Sequence, residues 1–325
     1  MDKERLLYLS HQDVEAVGLS VAEIIEGLGA AFREKGDGRV EMPPKPGIHP
    51  GSEDNFIHAM PASIPALESA GLKWVSGFPG NTQLGLPYIA GLLILNDFDT
   101  GLPLAVMDCS WITAMRTGAA TALAAKFLAR PDSSTAGFLA CGVQARANLE
   151  ALKILYPITN VRAFDIDISA AQRFAAEMHD RLEIEIEVVE RAQDAVTGCD
   201  LIVTSGPILK TPHATILEGW MDEGAFASLV DFDSFWHPDA MRQADKICTD
   251  DLDQFMYYKD IGYFQGVPEV HADLGQLATG EKPGRESATE RTMAVNLGLA
   301  MSDMAVAPLI YRRALEQGIG TWLPR

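Results

Sequence analysis

The stretch STAGFLACGVQARANLEALKILYPITNVRAFDID, residues 134–167, decides the fold. Ala136 to Ala140 predicts a strand, and Ala140-Cys141-Gly142-Val143-Gln144-Ala145 a tight turn of small residues. A helix rich in Ala and Leu runs on towards Leu155, and Val161 to Phe164 predicts a second strand closed by Asp165. That order is the order of a dinucleotide-binding βαβ unit. Small side chains let the backbone approach a pyrophosphate, whose charge then meets a helix N-terminus. An acid about 20 residues beyond the turn accepts hydrogen bonds from the adenosine ribose. The first glycine of the G-x-G-x-x-G/A pattern is Ala140 here, so the order of elements carries the expectation more than the glycines do. A purely structural βαβ unit is the alternative.

Length and composition bound what surrounds this unit. A chain of 325 residues suggests about two domains, and 47% hydrophobic residues supply ample core. No apolar run approaches the ~20 residues of a membrane span, and the opening MDKERLLYLS lacks a signal-peptide core. A formal net charge of -19 argues against nucleic acid and anionic membranes as partners. Cys109, Cys141, Cys199 and Cys248 are far apart with no C-x-x-C pair, which predicts reduced thiols in a cytoplasmic protein. The seven histidines show no metal-ligand spacing, so no metal is expected.

Upstream, Leu6 to Leu9 predicts a short strand and residues 11–35 an amphipathic helix. Ser20 and Glu23 form a capping box, with Val21, Ile24, Ile25, Leu28 and Phe32 on one face. Strands follow over Phe56–Pro61, Ala70–Ser76, Leu86–Asn96 and Leu104–Asp108, giving an α+β domain of mostly antiparallel strands. Alternation along Ala70–Ser76 sets Lys73 on the same face as Val75. A lysine on a buried strand face is costly unless paired or functional; a solvent-facing edge strand is the other possibility. From Trp111 an alanine-dense helix carries Arg116 and Thr117 in its first turns, with Ala114, Gly118, Ala122 and Ala125 allowing close packing. A cation there is no dipole partner, so Arg116 is expected to reach a carboxylate or phosphate by its fork, or else to form an ordinary salt bridge.

Downstream, Asp200–Ser205 predicts a buried parallel strand whose carboxyl end, at Ser205, is where doubly wound sheets bind ligands. Phe226–Val230 is a further strand, running into the two acids of Asp231-Phe232-Asp233. Residues 250–270, acidic and then aromatic, have the composition of a lid, or of a surface packed on the other domain or a second subunit. Met293 to Leu315 predicts one long helix.

With these segments placed, the chain resembles the ornithine cyclodeaminase/μ-crystallin family, and within it the alanine dehydrogenase branch most closely. The matching residues are Met42-Pro43-Pro44-Lys45, Gly71-Leu72-Lys73-Trp74-Val75, Pro79-Gly80-Asn81, Gly85-Leu86-Pro87 and Pro103 to Asp108. Further on they are Arg116-Thr117-Gly118-Ala119-Ala120, Cys141-Gly142, Gln144-Ala145, Gly280, Lys282-Pro283-Gly284-Arg285 and Gly298-Leu299-Ala300.

The resemblance implies an α/β protein: a Rossmann-like doubly wound NAD-binding domain, residues 118–302, with an α+β substrate and dimerisation domain, residues 1–117 with 303–325. It implies an NAD-dependent oxidoreductase, a homodimer, interconverting an α-amino acid and its imine or ketimine. Lys73 and Arg116 would hold the substrate carboxylate, with Lys45 nearby, and Asp233 would handle the amine proton. Cofactor contacts would come from Arg116, Thr117, Gly142, Val143, Gln144, Asp165, Ser205 and Asp233. The chain departs from the family at Ala140, at His58 (Arg in the alanine dehydrogenases, Glu in the cyclodeaminases), at Tyr88 and along Asp231 to Trp236, which reshapes the expected substrate pocket around His58 and Tyr88. Two rival functions stand beside the dehydrogenase. One is a cyclodeaminase-type lyase that uses bound NAD catalytically and releases ammonia. The other is a non-enzymatic nucleotide-dependent ligand binder.

Overall fold

The computed structural model describes residues 4–52 and 55–325; residues 1–3, part of the charged opening segment, lie outside them. The chain begins with β1 (Arg5–Leu9), α1 (His11–Ala16), α2 (Val21–Gly36), β2 (Gly47–Ile48) and β3 (Phe56–Ile64). Next come β4 (Ser69–Gly77), β5 (Ile89–Asn96), β6 (Pro103–Asp108) and α3 (Ser110–Leu128). The parallel strands follow: β7 (Thr135–Leu139), α4 (Val143–Leu155), β8 (Asn160–Phe164), α5 (Ile168–Leu182), β9 (Glu185–Val188), β10 (Leu201–Thr204) and β11 (Phe226–Leu229). The chain closes with α6 (Pro238–Met241), β12 (Lys246–Thr249), α7 (Leu252–Asp260), β13 (Ala272–Asp273), α8 (Leu274–Thr279), β14 (Thr292–Val295), α9 (Ala300–Gln317) and β15 (Thr321–Pro324). It divides into two compact units, residues 1–116 with 299–325 and residues 117–298.

Among the described residues, unit one holds a seven-stranded sheet in the order β15-β1-β6-β5-β4-β3-β2, with a single parallel pair, β1 on β6. Helix α9 lies on the inner face against β3, β4 and β5, and α2 packs on α9. The predicted helix over 11–35 is two helices. Gly18 takes φ 68°, a left-handed backbone that breaks the first. Ser20 then caps the second through the capping box with Glu23. Ile24, Ile25, Leu28 and Phe32 are buried as the period requires. The outer sheet face is apolar too. Trp74 pairs across with Leu92 and Ile94 with both Leu72 and Val106, while Trp74 is 47% and Leu92 44% exposed.

Unit two is an eight-stranded parallel sheet, β13-β12-β14-β11-β10-β7-β8-β9. Strand order reverses between β7 and β10, so loops leaving their carboxyl ends diverge there and open a crevice. One expectation changes here. Met293 does not start a helix: Thr292–Val295 is the fully buried strand β14, between β11 and β12, and the helix begins only at Ala300. A short apolar run buried on both faces has no period by which to tell strand from helix. Much of the aromatic run is core, while Met256, Tyr257 and Ile261 remain exposed. Phe255, Tyr258 and Phe264 are core residues of this unit, and Phe232 sits against Tyr258, Tyr263 and Phe264 with ring centroids 4.9–5.7 Å away. The Gly284-Arg285 motif has a structural part: Arg285 donates to Leu128 O at the end of α3, and to Ala225 O and Thr292 Oγ1. In this way one cation ties a helix C-terminus to two strands.

Candidate active site

In unit one, strand β4 lies between β3 and β5, and its inward row brings Lys73 under α9. Lys73 is completely buried, as is Asp303 in the first turn of α9. Lys73 Nζ lies 2.6 Å from Asp303 Oδ2 and 3.4 Å from Thr113 Oγ1. Arg116 Nε donates to the other carboxylate oxygen, Oδ1, at 3.2 Å. Arg116 thus forms a salt bridge through Nε. Burial, then the Arg116 charge, pulls the Lys73 ammonium down to about 8, against the pull of Asp303 and Cys109 in the other direction.

His58 on β3 stands opposite Val75 and stacks on Phe56 at 4.4 Å. Burial and the neighbouring charges of Lys45, His49 and Lys73 push its pKa down to about 3, so it is a neutral ring at physiological pH. Lys45 is buried just before β2. Tyr88 is half-buried ahead of β5, its carbonyl accepting from Phe78 N at 2.9 Å. Sequence reasoning missed Asp303. Its signal was available: a lone acid among Ala300, Met301, Met304 and Ala305, in a helix too apolar to leave it exposed, calls for a buried cation.

In unit two, the turn after β7 forms as the fingerprint requires. Ala140 takes φ 70°, the left-handed backbone its glycine counterpart would adopt at no steric cost. Ala140→Gly is therefore expected to leave stability unchanged or raise it by up to about 1 kcal/mol, the relief of strain outweighing the greater freedom of glycine in the unfolded chain. A denaturant midpoint that falls instead would show that the methyl group's contacts decide. A Cβ built on Gly142 would meet nothing within 4 Å, and Gly142 caps α4 with no side-chain hydrogen bond. Val143 is exposed, and Gln144 Oε1 is buried without a partner. Gly118 packs α3 so closely on α4 that a Cβ would stand 2.3 Å from Ala147 O. Thr117, one residue earlier, is buried.

Asp165 ends β8 with both oxygens aimed at backbone amides: Cys141 N donates to Oδ2 at 2.7 Å and Asp167 N to Oδ1 at 2.9 Å. At the reversal point Ser205 Oγ donates to Ala140 O at 3.0 Å. Beyond β11, Phe232 takes φ 63° and turns into the aromatic core, which separates the two acids beside it. Asp231 is fully engaged, accepting from Thr204 Oγ1 at 2.7 Å and Gly206 N at 3.0 Å. Asp233 is 3% exposed and its Oδ1 has no hydrogen-bond partner. Burial raises both carboxyls, Asp231 to about 7 and Asp233 to about 6. The structure thus gathers Lys73, Arg116 and Asp303 in one unit, and the turn, Asp165, Ser205 and Asp233 at strand ends of the other. Among the described residues no helix is long and apolar enough to cross a membrane.

The family model for the ornithine cyclodeaminase/mu-crystallin family matches residues 5–318. The chain is 37% identical over 325 residues to the alanine dehydrogenase of Archaeoglobus fulgidus, covering 97% of each. Among solved structures it is similar to the Thermococcus litoralis Δ1-pyrroline-2-carboxylate reductase in complex with NADH and L-proline. There identity is 34%, TM-score 0.87, and coverage 97% of this chain and 99% of that one. An archaeal alanine dehydrogenase dimer with bound NAD is 36% identical, TM-score 0.87, with coverage of 98% and 99%.

Proposed function

The chain belongs to the ornithine cyclodeaminase/mu-crystallin family, and from that premise we propose that it is an NAD-dependent oxidoreductase interconverting an α-amino acid and its imine. The observation that carries the reading is the contrast between two buried charge sets. One is a cationic pair, Lys73 and Arg116, sharing a single acid. The other is Asp233, an acid with an unpaired oxygen and a raised pKa. An α-amino acid presents the complement of both: a carboxylate for the cations and an ammonium proton for the acid.

The nucleotide domain fits the cofactor on its own residues. The open space over Gly142 and the amides at the start of α4, with no side chain capping them, suit a pyrophosphate. Asp165, an acceptor already held in place by two amides, suits ribose hydroxyls and repels a 2′-phosphate. Bound there, NAD supplies the hydride acceptor or donor for the α-carbon. Everything else falls to the chain. Lys73 and Arg116 hold the substrate carboxylate; because Arg116 meets Asp303 through Nε, its Nη1–Nη2 edge keeps the fork geometry that suits a carboxylate. An α-ammonium must lose a proton before its carbon gives up hydride, and ionised Asp233 takes that proton. In the reducing direction, protonated Asp233 returns it to the amine nitrogen once the carbon has taken up hydride. Lys45, neutral His58 and Tyr88 then shape the space for the amino-acid side chain.

A screen of L-amino acids with NAD, and of imines with NADH, read at 340 nm with ammonia measured in parallel, tests this. Net NADH formation with a preference for NADH over NADPH is expected. Ammonia release with no net absorbance change would indicate a cyclodeaminase instead, and NADPH preferred over NADH would remove the role of Asp165. We also propose that the apolar outer face of the first sheet, centred on Trp74 and Leu92, is covered by a second copy of this chain, since exposed contiguous apolar faces mark interfaces. Sedimentation equilibrium is expected to give twice the 35.2 kDa chain mass, and Trp74→Glu to shift it towards one; a wild-type monomer would rule the interface out.

A further inference from the structure

The carboxylate of Asp303 is shared between two cations from different elements, Lys73 on β4 and Arg116 on α3, and the arrangement has a definite charge. Two cations and one acid leave one net positive charge in a site closed to water. We propose that Asp303 is a positioning residue that holds Lys73 and Arg116 as a preassembled pair of net charge +1, matched to a single substrate carboxylate. The inference rests on the reading above that these two cations take that carboxylate.

Three observations support it. Asp303 stands in the first turn of α9, its carboxylate at the positive end of the helix dipole. The helix is seated tightly enough to deliver it. Gly71, two residues before Lys73 in the same inward row, is so close to α9 that a Cβ there would stand 2.8 Å from Met304 Sδ. Each carboxylate oxygen serves a different cation, so the acid fixes their separation as well as their charge. Without it, two cations of like sign would face each other in a low-dielectric interior and their spacing would depend on ligand alone.

The groups facing Lys73 are Asp303 from α9, Arg116 from α3, Cys109 from the end of β6 and neutral His58 from β3. Asp303 and Cys109 hold the Lys73 proton on; Arg116 drives it off. Of the two supports, Asp303 is the one in direct contact, at 2.6 Å, and burial pushes the Cys109 thiol up to about 11. Removing the Asp303 charge therefore releases the Lys73 proton at lower pH.

The test uses the full chain carrying Asp303→Asn, with NADH affinity and melting temperature as checks on folding. Lys73 Nζ is followed by NMR in ligand-free, lysine-Nζ-labelled protein, and KM for the amino acid found in the screen is followed against pH. The Nζ titration is expected to fall by about one pH unit or more, so that KM rises about fivefold or more at pH 8 and much less at pH 6. Asp303→Glu, which keeps the charge but displaces it, is expected to leave the titration in place and raise KM equally at every pH. This second variant also decides the matter if the asparagine variant does not fold. An unmoved Nζ titration in Asp303→Asn, or the same shift in Asp303→Glu, overturns the proposal while leaving the carboxylate reading intact. A shifted titration with unchanged KM overturns both.

Discussion

Asp233→Asn is expected to lower kcat/KM by about 10²- to 10⁴-fold, the usual worth of a positioned general base. The wild-type profile for amino-acid oxidation should be bell-shaped. It rises as Asp233 loses its proton through about 6 and falls as Lys73 loses its own through about 8. The variant should lose the acid limb and keep the alkaline one. Its stability should move the other way. The folded pKa of Asp233 stands above its unfolded value, so stability falls as pH rises from about 4 to about 6 and stays lower above that. An amide does not titrate, so at pH 7 the variant is expected to gain on the order of 2 kcal/mol. No hydrogen bond to Oδ1 is given up to obtain that gain. A variant that is slower and less stable would mean the carboxylate holds the fold instead of the proton.

Lys73→Met is expected to cost about 2–5 kcal/mol of substrate binding, or roughly 30- to 5,000-fold in kcat/KM, as expected for truncating a buried charge that meets a ligand charge. Most of it should appear in KM. The methionine fills a similar volume, and Asp303 remains paired with Arg116, so folding stability is expected to change little. NADH affinity, which depends on the other unit, should not move. Turnover surviving at the wild-type KM would remove Lys73 from the site.

Local chemistry was legible in the sequence; long-range pairing was not. The βαβ order, the Ser20–Glu23 capping box and the inward face of Lys73 each follow from spacings of a few residues, and the folded chain shows all three. The break at Gly18 depends on one left-handed residue within an otherwise helical period. Strand β14 was hidden because a strand buried on both faces loses the alternation that identifies it. The aromatics of 255–264 looked available because composition does not show that Phe232, one of the bulky departures, supplies their packing partner. Asp303 stood out of reach for the same reason. Its partners Lys73 and Arg116 belong to other elements, and no periodicity links them.

Unit one is assembled from both ends of the sequence: β1 pairs with β15, and α9 closes the inner face over Lys73. During synthesis, Asp303 emerges 187 residues after Arg116, an interval of roughly 10–40 s at ordinary elongation rates. Throughout it the first sheet has no cover for its inner face and two cations with no acid between them. The parallel unit is complete before α9 is made, so vectorial folding favours it first. Unit one is then the last part to become competent, and a nascent chain halted before Leu299 would hold a finished nucleotide fold and a first sheet still open to chaperones and proteases.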